Sequence, residues 1–149
     1  MSTTPLKIVL VDDDEDDRLF FADALQEIDI ATELTEFHNG QELLDCLHAS
    51  DTAAYPHLIF LDLNMPVMDG FECLREIRKN PELKDLVVAI YSTSSSEKDI
   101  EETFVHGANI YINKPNRFEE LKKTIGQVVR RNWHYHENET DKANFLFRI

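Results

Sequence analysis

The sequence predicts an α/β fold: a doubly wound, five-stranded parallel sheet with helices on both faces. Two observations carry this. Apolar, β-rich runs alternate with amphipathic stretches along the chain, the pattern of parallel strands joined by crossover helices. One run, Leu86-Val87-Val88-Ala89-Ile90-Tyr91, is almost continuously apolar, which marks a strand buried on both faces. A chain of 149 residues fits one domain and buries a core without staples.

The elements follow in order. Leu6 to Val11 is the first strand. Asp17 to Ile28 is a helix, with Leu19, Phe20, Ala24, Leu25 and Ile28 at helical spacing. Thr32 to Phe37 alternates with polar positions, as at a sheet edge. Asn39-Gly40 signals a turn, and Gln41 to His48 is a helix that turns Leu43, Leu44 and Leu47 inward. His57 to Leu61 is the third strand. Gly70 to Lys79 is a helix with Phe71, Leu74 and Ile77 on one stripe, stopped by Asn80-Pro81. Leu86 to Tyr91 is the fourth strand. Ser94-Ser95-Ser96-Glu97 starts the next helix, which ends near His106-Gly107, where glycine accepts the left-handed cap. Asn109 to Asn113 is the fifth strand. Phe118 to Arg130 is the last helix, with Leu121, Ile125, Val128 and Val129 inward. A flavodoxin-like (βα)5 order, 2-1-3-4-5, suits this count and puts the functional crevice at the carboxyl ends of the strands. Residues 5–131 form the domain and 132–149 a C-terminal tail. Its apolar end, Phe145-Leu146-Phe147-Arg148-Ile149, is read as packing on the domain or on a second copy of the chain.

Composition narrows the function. Acidic residues outnumber basic ones 29 to 15, for a formal charge of −14. That argues against nucleic acid as a direct partner, since phosphate backbones require Lys and Arg. The N-terminus lacks a signal-peptide pattern and no apolar segment is long enough to span a bilayer; the expected location is the cytoplasm, with no membrane partner. Cys46 and Cys73 are read as half-buried free thiols. His134 and His136 are too short a motif to imply a metal site.

The strand ends hold the chemistry. The first strand delivers Asp12, Asp13 and Asp14, the third Asp62, the fourth Ser92 and Thr93, and the fifth Lys114 followed by Pro115. A parallel sheet places all of them on one edge. Two carboxylates about 4 Å apart repel by roughly 4 kcal/mol at an effective dielectric near 20. Mg²⁺, which takes oxygen ligands, removes that cost. A lysine pairs with a carboxylate or a phosphoryl group, and a carboxylate can itself be the nucleophile that forms an aspartyl-phosphate. Phosphoryl transfer needs mostly positioning and charge neutralisation. Asp14 to Asp17 otherwise read as charges that offset the dipole of the first helix.

Val11-Asp12-Asp13, Leu61-Asp62-Leu63-Asn64-Met65-Pro66 with Met68-Asp69-Gly70, Tyr91-Ser92-Thr93, and Tyr111-Ile112-Asn113-Lys114-Pro115 together resemble the receiver domain of two-component response regulators. The resemblance covers about Leu6 to Arg131 and is strongest to small single-domain regulators, phytochrome-associated ones among them. It implies a phosphoacceptor role for Asp62, fed by a phosphohistidine on a sensor histidine kinase or phosphotransfer protein. It implies Mg²⁺ bound by Asp13 and Asp62, by Asp12 through water, and by the backbone carbonyl of Asn64. Ser92 and Lys114 would hold phosphoryl oxygens, Ser92 and Tyr111 would form the switch, Tyr111 turning inward as Ser92 moves, and Asn64 and Ser94 would tune hydrolysis. A cis Lys114–Pro115 bond is implied too. The chain departs from the commonest pattern in having Ser rather than Thr at 92, and polar Asn116-Arg117 after Pro115.

The implied protein is a switch rather than an enzyme: slow self-dephosphorylation, an unnamed downstream protein, and a second copy of the chain as a candidate partner. An aspartyl-phosphate phosphatase is the competing class. It requires a general acid two residues after the nucleophile, where this chain has Asn64. A phosphorylation-independent scaffold is a third class, disfavoured by the complete set of strand-end residues.

Overall fold

In the computed structural model, residues 5–131 and the backbone of 146–147 are described. The order is β1 (Leu6–Val11), α1 (Glu15–Gln26), β2 (Thr32–Phe37), α2 (Gly40–Ala49), a 3-10 turn (Thr52–Ala54), β3 (Leu58–Leu61), α3 (Gly70–Lys79), β4 (Val88–Ser92), α4 (Glu97–Val105), β5 (Ile110–Asn113), α5 (Phe118–Val129) and β6 (Leu146–Phe147). The sheet order is β2-β1-β3-β4-β5-β6, and every pairing is parallel. The five predicted strands stand in the predicted order, with β2 at an edge. A sixth, two-residue strand extends the other edge by pairing Leu146 with Tyr111 and Phe147 with Ile112. The sequence read this segment only as tail, because two residues carry no periodicity. His134, His136, Phe145, Arg148 and Ile149 lie outside the described residues.

Strand alternation divides the core into two layers. Val9, Val11, Ile59, Leu61, Val88, Ile90 and Tyr111 face α2, α3 and α4, meeting Leu43, Leu44, Leu47, Cys73, Leu74, Ile77 and Ile100. Ile8, Leu10, Leu58, Phe60, Ala89, Tyr91, Ile110 and Ile112 face α1 and α5, meeting Phe21, Leu25, Leu121, Ile125 and Val128. Truncating one of these leucines costs about 2–5 kcal/mol.

Side-chain caps fix the starts of α1 to α4. Asp14 caps α1, its carboxylate accepting from the Asp16 and Asp17 N–H groups. The helix therefore starts two residues before the expected position, and Phe21 turns inward while Leu19 is 59% exposed. The spacing had pointed to Leu19 and Phe20; Phe20 packs partly buried against the core, but Leu19 does not, and Phe21 takes the buried place. Ser96 caps α4 as expected, accepting from Asp99 N–H, and Gly107 takes the left-handed conformation at φ 95°. The two thiols differ: Cys46 is exposed and Cys73 buried, both free. No described peptide bond is cis, so Lys114–Pro115 departs from the expectation. Trans is favoured by about 0.5–1 kcal/mol before proline, and from it Lys114 reaches the carboxylates described below.

Two features position the β3 end. A Cβ on Gly70 would run into the Asp62 carbonyl and the Leu63 backbone, so only glycine lets α3 start this close to Asp62. Just before it, Val67 has φ 69° in a tight turn closed by Met68 N–H to Pro66 O at 2.8 Å. A β-branched residue there is strained.

Candidate functional site

The ends of β1, β3 and β5 converge. Asp62 N–H donates to Val11 O at 3.0 Å, which ties the β3 end to the β1 end. Asp12 is fully buried and Asp62 is 6% exposed. Asp13 is exposed, yet carboxylate oxygens of Asp12, Asp13 and Asp62 lie within 4.8 Å of one another.

Lys114 reaches in from the end of β5. Its Nζ donates to Asp12 Oδ2 at 2.8 Å, Asp17 Oδ2 at 2.8 Å and Asp62 Oδ2 at 3.5 Å. It also lies 5.1 Å from the centre of the Tyr91 ring, a cation–π distance. Burial would pull this ammonium down, but the hydrogen bonds to Asp12 and Asp17 and the charge of Asp62 outweigh it, so its pKa is raised. Burial also pushes the Asp62 carboxyl up to about 6; Lys114 opposes this, Asp12 adds to it and the Asn64 N–H opposes it. Burial raises Asp12 as well, against its hydrogen bonds to Lys114 and the Asp14 N–H. These carboxylates thus carry desolvation and mutual repulsion that one lysine does not fully offset. Hard oxygen donors, clustered and under-neutralised, fit a divalent cation such as Mg²⁺.

The neighbouring strand end is a hydrogen-bonded loop. Ser92 is fully buried and its Oγ accepts from Ser94 N–H at 3.1 Å. Tyr111 is fully buried, with its hydroxyl donating to Ser94 O at 2.8 Å: of the two positions the resemblance implies, this is the inward one. Burial raises its phenol, against hydrogen bonds to Ser94 and Ser92.

Asp12, Asp13, Asp62 and Lys114 therefore meet as the sequence suggested, with Ser92 at the adjacent strand end. Asn64 is exposed two residues past Asp62. Ser94 Oγ donates instead to Asp99 Oδ2 at 2.7 Å, which turns it toward α4. Three participants were missed. Asp17 was read only as a helix-dipole charge, although it lies three residues after the Asp14 cap. Tyr91 was read as the end of an apolar run and as part of the Tyr91-Ser92-Thr93 motif, with no role of its own at the site. Asn113 donates its amide to the carbonyls of Ser92, Thr93 and Ser94 at 3.2–3.3 Å; its position next to Lys114 was the available signal.

A five-stranded order with carboxylates and a lysine at the strand ends defines a class, and comparison with known proteins agrees. Residues 8–126 match the response regulator receiver domain, and the chain belongs to that family, whose members are phosphoacceptor proteins of two-component signalling. Among its relatives, the response regulator Rcp1 of Synechocystis sp. is 32% identical over 127 residues, covering 83% of this chain and 86% of Rcp1. The crystal structure of the phosphorylated cyanobacterial phytochrome response regulator RcpA superposes with a TM-score of 0.77 at 33% identity, over 84% of this chain and 91% of RcpA. A Mn²⁺-bound structure of Rcp1 gives 0.74 at 31% identity, over 83% and 91%. Among the described residues, no helix is long and apolar enough to cross a membrane.

Proposed function

We propose that this protein is a response regulator whose Asp62 accepts a phosphoryl group from a phosphohistidine in a Mg²⁺-dependent reaction. The observation that carries this is the junction of Asp12, Asp13 and Asp62 with Lys114 at the carboxyl end of the sheet.

An Asp62 oxygen attacks the phosphorus. The P–O bond forms as the P–N bond breaks, and the electron pair leaves with the donor imidazole. Asp12, Asp13, Asp62 and the Asn64 carbonyl are the groups that would hold Mg²⁺, which when bound supplies charge neutralisation for the phosphoryl oxygens. Lys114 takes one of those oxygens and Ser92 another. Asp62 is largely buried, which limits water at the acyl phosphate. Asn64 offers no proton as a carboxylic acid would, which favours a held phosphoryl group and slow self-dephosphorylation over turnover.

Ser92 moving toward the phosphoryl group would give up its bond with Ser94 N–H, while Tyr111 would keep the inward position it has here, with its hydroxyl on Ser94 O. The β4–α4 loop and the α4–β5–α5 face would then shift their preferred partner, a second copy of the chain included. Residues 5–131 carry this activity. The phosphodonor is a sensor histidine kinase or phosphotransfer protein in the cytoplasm. RcpA is a cyanobacterial phytochrome response regulator, which supports a phytochrome-type input here.

The test is incubation with Mg²⁺ and a small phosphodonor, read by intact mass. The wild type gains one phosphoryl group and Asp62→Ala gains none. Labelling of Asp62→Ala overturns the assignment, and rapid turnover of many phosphomonoesters points to the phosphatase class instead.

A further inference from the structure

Lys114 is closer to two carboxylates that do not accept the phosphoryl group than to the one proposed to. Its Nζ is 2.8 Å from Asp12 and from Asp17, against 3.5 Å from Asp62. Asp12 is accounted for by the metal site. Asp17 is not: it sits in the first turn of α1, and its side chain is 39% exposed while that of Lys114 is 8%. A side chain at the rim of the pocket thus reaches inward to a buried ammonium.

We propose that Asp17 is a positioning residue that holds Lys114 on the α1 side of the pocket, so that the lysine must break this ion pair to reach a phosphoryl group on Asp62. The inference rests on the phosphoacceptor reading above and adds to it a control on how readily the group is captured. An ammonium has only three protons to give. In this structure they point to Asp12, Asp17 and Asp62. When Asp12 and Asp62 turn to a divalent cation, Asp17 remains as the competing anion. The phosphoryl oxygens must then outbid it for the same lysine.

Geometry separates this role from a general effect of charge. Asp16 lies one residue away in the same helical turn, also acidic and exposed. Its N–H donates to the Asp14 carboxylate, as that of Asp17 does, and no ion pair joins it to Lys114. Asp16→Asn therefore removes the same charge from the same helix end and leaves the lysine where it is.

The experiment measures the affinity of the full chain for beryllium fluoride, a phosphoryl mimic, by calorimetry at Mg²⁺ concentrations saturating for each variant. Asp17→Asn and Asp17→Ser are expected to bind about fivefold tighter than wild type, the scale of a partly exposed ion pair. Asp16→Asn is expected to match wild type, and Asp17→Glu, which restores the carboxylate, to return toward it. The gain should shrink as salt is raised. If Asp17→Asn and Asp17→Ser bind no tighter while wild type binds, Asp17 does not restrain Lys114 and the phosphoacceptor reading stands. An equal gain in Asp16→Asn reduces the effect to net charge and also overturns the inference. If wild type binds no mimic, the underlying reading fails, and this inference with it.

Discussion

Arg78 and Lys114 are both cations held inside the protein, at opposite ends of the same strands. Arg78 lies at the amino ends of β4 and β5. Its guanidinium donates to the carbonyls of Gly107, Lys84 and Leu86 and to the Asn109 side chain, all at 2.7–2.9 Å. Asn109 Oδ1 also accepts from Val88 N–H at 2.9 Å, so the cation knits the α3 end to the starts of two strands. These four partners are all neutral, and burial lowers its pKa to about 10, against the charge of Asp85. Lys114, at the carboxyl ends, meets three carboxylates. Carbonyl dipoles fixed by the backbone cannot be taken over by a ligand. Carboxylates can, by a metal ion or by transfer of a new group. One end of the sheet is closed by its cation, and the other is kept open to chemistry by its cation.

The largest expected effect breaks the comparison if it fails. Arg78→Ala leaves several carbonyls without a charged donor and should cost about 3 kcal/mol or more in denaturant titrations, with no recovery on adding Mg²⁺. Lys114→Ala leaves Asp12, Asp17 and Asp62 facing one another. Its loss should be largely recovered by millimolar Mg²⁺, because a cation that fits the carboxylates replaces the missing charge. Equal responses of the two variants to Mg²⁺ would show that the ends do not differ in this way.

Asp62→Asn tests the strain of the open end. The folded-state carboxyl lies at about 6, above its usual 3.8, chiefly through burial. A raised carboxyl makes the ionised group a burden on the fold above that value. Without metal at pH 7, Asp62→Asn should therefore be more stable than wild type by on the order of 2 kcal/mol. The folded wild type takes up its proton before the unfolded chain does, so the gap should narrow as pH falls through 6 toward 4. Thermal melts of both proteins across that range measure it; a gap that is constant or widens on acidification contradicts the burial of an under-neutralised carboxylate.

The smallest effect concerns the backbone beside the site. Val67 is 79% exposed and lies at φ 69°, a backbone region that glycine adopts without steric strain. Val67→Gly should raise stability by about 1 kcal/mol and leave the Arg78 end untouched. A loss of stability would mean that the valine side chain itself holds the turn.

The two ends also differed in how far the sequence revealed them. The open end was legible because its chemistry uses rare, adjacent residue types: Asp12-Asp13, Asp62 and Lys114-Pro115 each close an apolar run. The Arg78 end was not, because its partners are mostly backbone carbonyls, which every residue possesses. The fold was legible where a run was long or a cap was chemical, as at Leu86 to Tyr91, Ser96 and Gly107. It was obscure where neighbouring residues were equivalent, as in Leu19-Phe20-Phe21, where packing against the sheet selects Phe21. Asp17 shows the same limit at the site. Its composition suggested a helix dipole, and only the approach of β5 to α1 brings Lys114 within 2.8 Å of it.

The central claim is that Asp62, among the acidic residues gathered at this edge, receives the phosphoryl group. Its most direct test is borohydride reduction after labelling with Mg²⁺ and a small phosphodonor, which converts an aspartyl phosphate to homoserine, followed by peptide sequencing. The account predicts homoserine at position 62 and intact aspartate at positions 12, 13 and 17; homoserine at any of those three, with position 62 unchanged, would contradict it.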